Sequence, residues 1–186
     1  SALVVDPSEH AHLVYDNGLD EARDHDVGAV PGLRAVVGQD QFGVFFELAD
    51  GRVLVLGEFD FAEDSEVHAP NVGFGRYELH EVPELRGATL GAANQTYCAL
   101  RPDHRVECWG RNEGLVPELR VYDDLTPREI PELRGAEALL MTAGHVCAQM
   151  GPNRVRCIEP PEYHHDTDER TPRPPRDVTI DRTMRP

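Results

Sequence analysis

The chain of 186 residues carries 34 acidic and 18 basic side chains, a net charge of -16, and every basic residue is an arginine. A surface this negative opposes binding to nucleic acid, whose phosphates need clustered positive charge to displace counterions. The absence of lysine also removes a P-loop lysine, a Schiff base and a lysine general base. The longest apolar runs, such as Val53-Leu54-Val55-Leu56 and Ala138-Leu139-Leu140-Met141, have strand length. A membrane-spanning helix needs roughly 18 apolar residues, so no transmembrane segment is expected. With Ser1 first and no apolar leader, the chain is expected to be a processed mature protein or a fragment.

Residues 1–29 read as a partial repeat. Ser1-Ala2-Leu3 can be laid on Cys98-Ala99-Leu100, and Val14-Tyr15-Asp16-Asn17 falls near the position of Trp109-Gly110-Arg111-Asn112. Residues 30–81 form the first full copy. It opens with Val30-Pro31-Gly32-Leu33-Arg34 and runs through Val44-Phe45-Phe46-Glu47-Leu48, a turn at Asp50-Gly51, and Val53 to Leu56. Residues 82–130 form the second, opening with Val82-Pro83-Glu84-Leu85-Arg86-Gly87-Ala88. Its strand-like runs Thr96 to Leu100 and Arg105 to Trp109 flank Pro102-Asp103-His104, a turn composition. Residues 131–176 form the third. Ile130-Pro131-Glu132-Leu133-Arg134-Gly135-Ala136 repeats the opening 48 positions on, and the turn is Gly151-Pro152-Asn153. Residues 177–186 close the chain. Thr171-Pro172 before Val178-Thr179-Ile180 resembles Thr126-Pro127 before Ile130, as at the start of another copy.

Each copy therefore contains a β-hairpin, preceded by a short apolar segment and followed by a polar loop. Prolines recur too often for long helices, and no stretch shows a helical period. Several short strands per copy at this period are the signature of propeller blades. The expected fold is an all-β propeller of about four blades, one of them shared by the N- and C-termini. The alternative is part of a larger, seven-bladed ring.

The segment from Cys98 to Asn112 ends in Trp-Gly-x-Asn and resembles the regulator of chromosome condensation repeat. Ala143-Gly144-His145-Val146-Cys147-Ala148 is similar to that family's approach to the same hairpin, and in the third copy Ile158-Glu159-Pro160 replaces Trp-Gly-x. The resemblance implies a propeller fold and a protein-binding role. Two cysteines per blade are more similar to exported bacterial members than to the nuclear protein. Nothing matches the nuclear member's functional loops.

Cys98 and Cys108, like Cys147 and Cys157, are ten apart and centred on the hairpin turn. They should face each other across two antiparallel strands, at a Cα separation of roughly 4.5–5.5 Å that a disulfide can bridge. Phe46 and Val55 take the corresponding slot in the first copy. Reduced core thiols and a zinc site are the alternatives, although no C-x-x-C spacing exists. Two disulfides would place the protein in the periplasm, on the cell surface or in the medium.

His10 and His12, with His164 and His165 near Asp166, Asp168 and Glu169, are candidate metal ligands. Solvated polar loops are the plainer reading. His145 reads as a hydrogen-bonded structural residue of its blade. Asp16 to Glu21 is acidic but lacks the EF-hand spacing. No G-x-S-x-G, H-E-x-x-H or G-x-G-x-x-G occurs, so no enzyme and no cofactor are expected. Trp109 is a candidate binding anchor or a packing residue between blades. Arg173 and Arg176, in the Arg-Pro tail, could pair with acidic groups of this chain, a sister subunit or a partner.

The sequence thus points to a non-catalytic, exported propeller that binds a protein or surface ligand. The alternatives are a subunit of a homo-oligomeric or filamentous assembly, and a metal-binding propeller.

Overall fold

A computed structural model describes residues 2–16, 22–40, 43–56, 79–93, 96–110, 124–142, 145–159, 162–164, 169–171 and 173–179. They are nearly all β-strand, in four antiparallel sheets and one short ribbon. The first sheet holds β1 (Ala2–Val5), β2 (His10–Asp16) and β3 (Ala22–Ala29). The second holds β4 (Leu33–Asp40), β5 (Gly43–Leu48), β6 (Val53–Leu56) and β7 (Leu79–Glu81). β8 (Thr89–Ala93), β9 (Thr96–Leu100), β10 (Val106–Gly110) and β11 (Asp124–Glu129) make the third. The fourth is built from β12 (Ala138–Thr142), β13 (His145–Gln149), β14 (Arg154–Ile158) and β17 (Arg176–Thr179). β15 (Glu162–His164) and β16 (Glu169–Thr171) form the ribbon. The chain divides into two compact units, one carrying β1 to β7 and the other β8 to β17.

The Pro-Glu-Leu-Arg-Gly motif folds as a one-turn 3-10 helix, Pro83–Leu85 in the first unit and Pro131–Leu133 in the second. Proline at its first position needs no N–H partner there. Leu85 and Leu133 are fully buried. The motif's arginine holds the acidic residue that ends the preceding strand, Arg86 to Glu81 and Arg134 to Glu129. Its glycine then reaches back to a hairpin turn. Gly87 N–H donates to the Gly51 carbonyl at 2.8 Å, and Gly135 N–H to the His104 carbonyl at 2.8 Å. Both acceptors sit in left-handed backbone, at φ +82° and +65°. The recurring motif is a clasp between the end of a sheet and the turn of that sheet's hairpin.

In the first unit the core joins Ala11, Val27 and Val30 to Phe46, Leu48, Leu54 and Leu56, with Leu3, Val5 and Leu13 packed against them. In the second unit Cys98, Leu100, Val106 and Cys108 meet Val146, Ala148 and Ile158, with Leu139 and Met141 beside them. The face of the third sheet that carries its cysteines therefore packs against the fourth sheet. Gly91 makes the approach possible, because a Cβ there would lie 2.5 Å from Met141 Cγ.

Two expectations about register are corrected. The sequence match sets Phe46 against Cys98, but the structure sets Phe45 opposite Val55 and Phe46 opposite Leu54. The turn decides this. Leu48 N–H bonds to Arg52 O as Arg101 N–H bonds to Arg105 O, so Leu48 matches Arg101 and Phe45 matches Cys98. By the same turn geometry at Asp6 to His10, Leu3 rather than Ser1 matches Cys98, and it lies opposite Leu13.

The second correction concerns the termini. Strand β17, expected to complete a blade with the N-terminus, pairs instead with β14, Val178 opposite Val155 and Asp177 opposite Arg156. Arg156 Nε and Nη2 donate to the two carboxylate oxygens of Asp177 at 2.6 and 2.9 Å, a bidentate fork that fixes the strand. Arg176 of β17 stands opposite Cys157 as Arg128 of β11 stands opposite Cys108, so β17 is the fourth strand of its sheet as β11 is of its own, whereas Thr171 ends β16 in the ribbon. Among the described residues β1 pairs with β2 alone, and the first sheet has three strands.

Candidate functional site

Strand alternation sorts the first sheet into two faces. Leu3, Val5 and Leu13 turn toward the core of their unit. Val4 and His12 lie opposite each other on the outer face. A register shift between Ala11 and His12 brings Asp26 opposite His12, where it also comes within reach of His10. The Asp26 carboxylate accepts from His10 Nδ1 at 2.9 Å, and the Asp24 carboxylate accepts from His12 Nδ1 at 3.0 Å. His12 Nε2 lies 3.5 Å from Asp6 Oδ2. Asp6 in turn accepts the backbone N–H groups of Ser8 and His10, closing the hairpin turn.

These contacts set the protonation behaviour of the face. The hydrogen bond to Asp24 raises the His12 imidazole above its ordinary value. The bond from His10 holds Asp26 below the usual carboxylate range, and the backbone N–H of His10 does the same for Asp6. The arrangement is a lattice of imidazole–carboxylate pairs across strands, with the half-exposed Val4 beside it.

His10 and His12, candidate metal ligands, are hydrogen-bonded to Asp26 and Asp24 respectively. Among the described residues no group of three or more His, Cys, Asp or Glu side chains is arranged to hold an ion. His164 ends β15, and His165 lies outside the described residues, as does most of the acidic segment from Asp16 to Glu21. His145 Nε2 stands 3.6 Å from Glu159 Oε2.

Cys98 and Cys108 are directly opposed in β9 and β10 and joined by a disulfide, with Cα atoms 4.1 Å apart. Cys147 and Cys157 are joined in the same way across β13 and β14, at 3.9 Å. Trp109 does not serve as an exposed anchor. It is fully buried and stacks on Tyr97, with ring centroids 6.1 Å apart. Its place opposite Tyr97 on the β9–β10 pair puts it inside. Arg173 pairs with Glu162 at 3.4 Å on the surface. Arg176 is exposed on β17, opposite Cys157. Asp24 and Asp26 escaped sequence reasoning, although Asp24-x-Asp26 matches His10-x-His12 in the two-residue period of paired strands.

The turn arginines make further short-range pairs, Arg52 with Asp50 and Arg105 with Asp103, each at 2.7 Å. The backbone N–H of Arg52, and then its guanidinium, holds Asp50 below the usual carboxylate range, and the Arg105 guanidinium does the same for Asp103. No helix among the described residues is long and apolar enough to cross a membrane.

No family model matches the chain, and no curated protein matches it. Solved structures do match, among them the crystal structure of human WBSCR16, at 14% identity and a TM-score of 0.55. That match covers 84% of this chain and 44% of the other, so this chain spans less than half the length of WBSCR16. The likeness is one of fold alone, an all-β arrangement of three- and four-stranded antiparallel sheets of β-propeller type.

Proposed function

We propose that this protein is a non-catalytic, exported binding scaffold that engages a protein partner through the outer faces of its sheets. The cross-strand disulfides are the observation that carries the reading. Two hairpins are stapled at equivalent positions, and among the described residues no cysteine is free. Such bonds persist in oxidising compartments, which supports a periplasmic, cell-surface or secreted location. The propeller-type fold supports binding or regulation rather than chemistry. The outer face of the first sheet offers an apolar contact, Val4, opposite His12, on a face that also carries the His12–Asp24 and His10–Asp26 pairs. That combination suits a partner presenting an apolar side chain next to a basic one.

Two measurements test the reading. Non-reducing peptide mapping of protein from its native source should return the Cys98–Cys108 and Cys147–Cys157 pairs; free thiols would sink the compartment. A photoreactive residue at Val4, compared with one at Asp50 on a hairpin tip, should give protein adducts from envelope extracts that excess unlabelled chain suppresses. Equal, non-competed labelling at both positions would sink the binding role.

A further inference from the structure

The three most exposed large apolar side chains among the described residues are Val4, Leu140 and Val178, at 49%, 45% and 40%. All three fall on two particular sheet faces. In each unit one sheet turns its staple face, the face of the paired cysteines or their equivalents, onto the next sheet in sequence. Leu3 and Leu13 of the first sheet pack on the group around Phe46 and Leu54 of the second. Cys98 and Cys108 of the third sheet pack on Val146, Ala148 and Ile158 of the fourth. Leu140, Cys147, Cys157 and Arg176 lie in one row across the staple face of the fourth sheet, with Val155 and Val178 in the next. Leu140 and Val178 stand exposed there. Val4, in β1 and opposite His12, lies on the opposite kind of face, the receiving face of the first sheet.

The position of Leu140 sharpens the match. Gly91 holds the equivalent place in the third sheet, opposite Cys98, where it makes room for Met141. The fourth sheet thus presents a projecting leucine where the third is hollow. The charges agree as well. Arg176 is exposed on the staple face, and Asp24 and Asp26 are exposed on the receiving face.

We propose that two copies of this chain associate head to tail, the Leu140–Val178 face of one seating on the Val4–His12 face of the next. The inference rests on the binding reading above and names the partner as a second copy. Such a contact is heterologous, so it closes into a ring or extends into a fibre according to the rotation between copies.

Sedimentation of the purified full chain over a concentration series tests it. The mean mass should rise with concentration. Leu140→Asp on one face, or Val4→Asp on the other, should weaken association by about tenfold or more. Arg176→Glu, a change at an exposed position, serves as the variant least apt to disturb folding and should weaken association in the same direction. Intact disulfides and an unchanged circular dichroism spectrum check each fold. Mixing Leu140→Asp chain with Val4→Asp chain should restore a dimer that neither forms alone, because each keeps the face the other lacks. Chains that remain monomeric at every concentration, or a mixture that fails to pair, overturn the proposal. If such monomeric chains still give competed Val4 adducts with envelope proteins, only the identity of the partner falls and the scaffold role stands.

Discussion

Met141 lies directly over Gly91: a Cβ added to that glycine would approach Met141 Cγ to 2.5 Å. Gly91 sits opposite Cys98 in the third sheet, and Met141 is packed against the core of the second unit. The hollow at Gly91 is therefore part of the packing of one sheet on the next. Gly91→Ala should cost about 1–3 kcal/mol in urea denaturation, as overpacking does. Adding Met141→Ala should make the pair non-additive, because the clash disappears with the thioether arm. A fully additive double mutant would show that the two residues do not meet.

The register of the second sheet can be tested by chemistry. Phe45 and Val55 stand in the place of the cysteine pairs and are fully buried. Phe45→Cys with Val55→Cys should form a third disulfide in oxidised protein, seen as the loss of two hydrogens in intact mass. Phe46→Cys with Val55→Cys should not, since those side chains point to opposite faces. In the opposite direction, replacing both Cys98 and Cys108 by alanine should lower stability by about 2–3 kcal/mol, the chain-entropy value for so short a loop.

His104 is one of two non-glycine residues with left-handed backbone among those described, at φ +65°. It keeps that conformation while its Nδ1 bonds to the Ala136 carbonyl at 2.8 Å. His104→Ala loses the bond and retains the strained backbone, so it should destabilise by about 1–2 kcal/mol. His104→Gly relieves the backbone, as Gly51 does at the equivalent turn, and should recover part of that loss. Thermal melts of the two variants order them; an alanine variant as stable as the glycine variant would contradict the account.

The first sheet should be most stable in mildly acidic solution. His12 has its imidazole raised above its ordinary 6.5, so its contribution is complete below that value and fades as pH rises through the raised one. Asp26 and Asp6 lie below their ordinary 3.8, so their contributions hold above that value and fade as pH falls through the lowered ones. Hydrogen exchange of β2 and β3 across pH, corrected for intrinsic rates, should show protection falling at both ends. His12→Asn should flatten the neutral limb and leave the acid limb in place.

Much of the architecture was legible in the primary structure, because the Pro-Glu-Leu-Arg-Gly motif and the paired cysteines mark the same hairpins twice. Short strands between proline-rich turns could only be β. Three points were hidden. Leu48 matches Leu100 by residue type, yet its backbone bonds place it with Arg101, and residue type cannot report the length of a turn. Trp109 carries the family-like motif, but burial depends on which face the sheet covers. The aspartates that engage His10 and His12 arrive through a bulge between β2 and β3, and a local kink leaves no periodic trace. The place of β17 was hidden because Thr171, which matches Thr126 by residue type, ends β16 and not the strand that joins β14.

The clasp from Gly135 to His104 changes where a module of this protein begins. The eye divides the sequence before Val82 and Ile130, where the motif starts, but the hydrogen bonds tie each motif to the sheet before it. The two compact units part after Gly87, with the motif kept whole on the N-terminal side. Anyone splicing, permuting or multiplying these modules should therefore cut after the motif's glycine. A cut before the proline would strand a hairpin tip without its latch, since Gly135 N–H donates to the His104 carbonyl of the preceding hairpin.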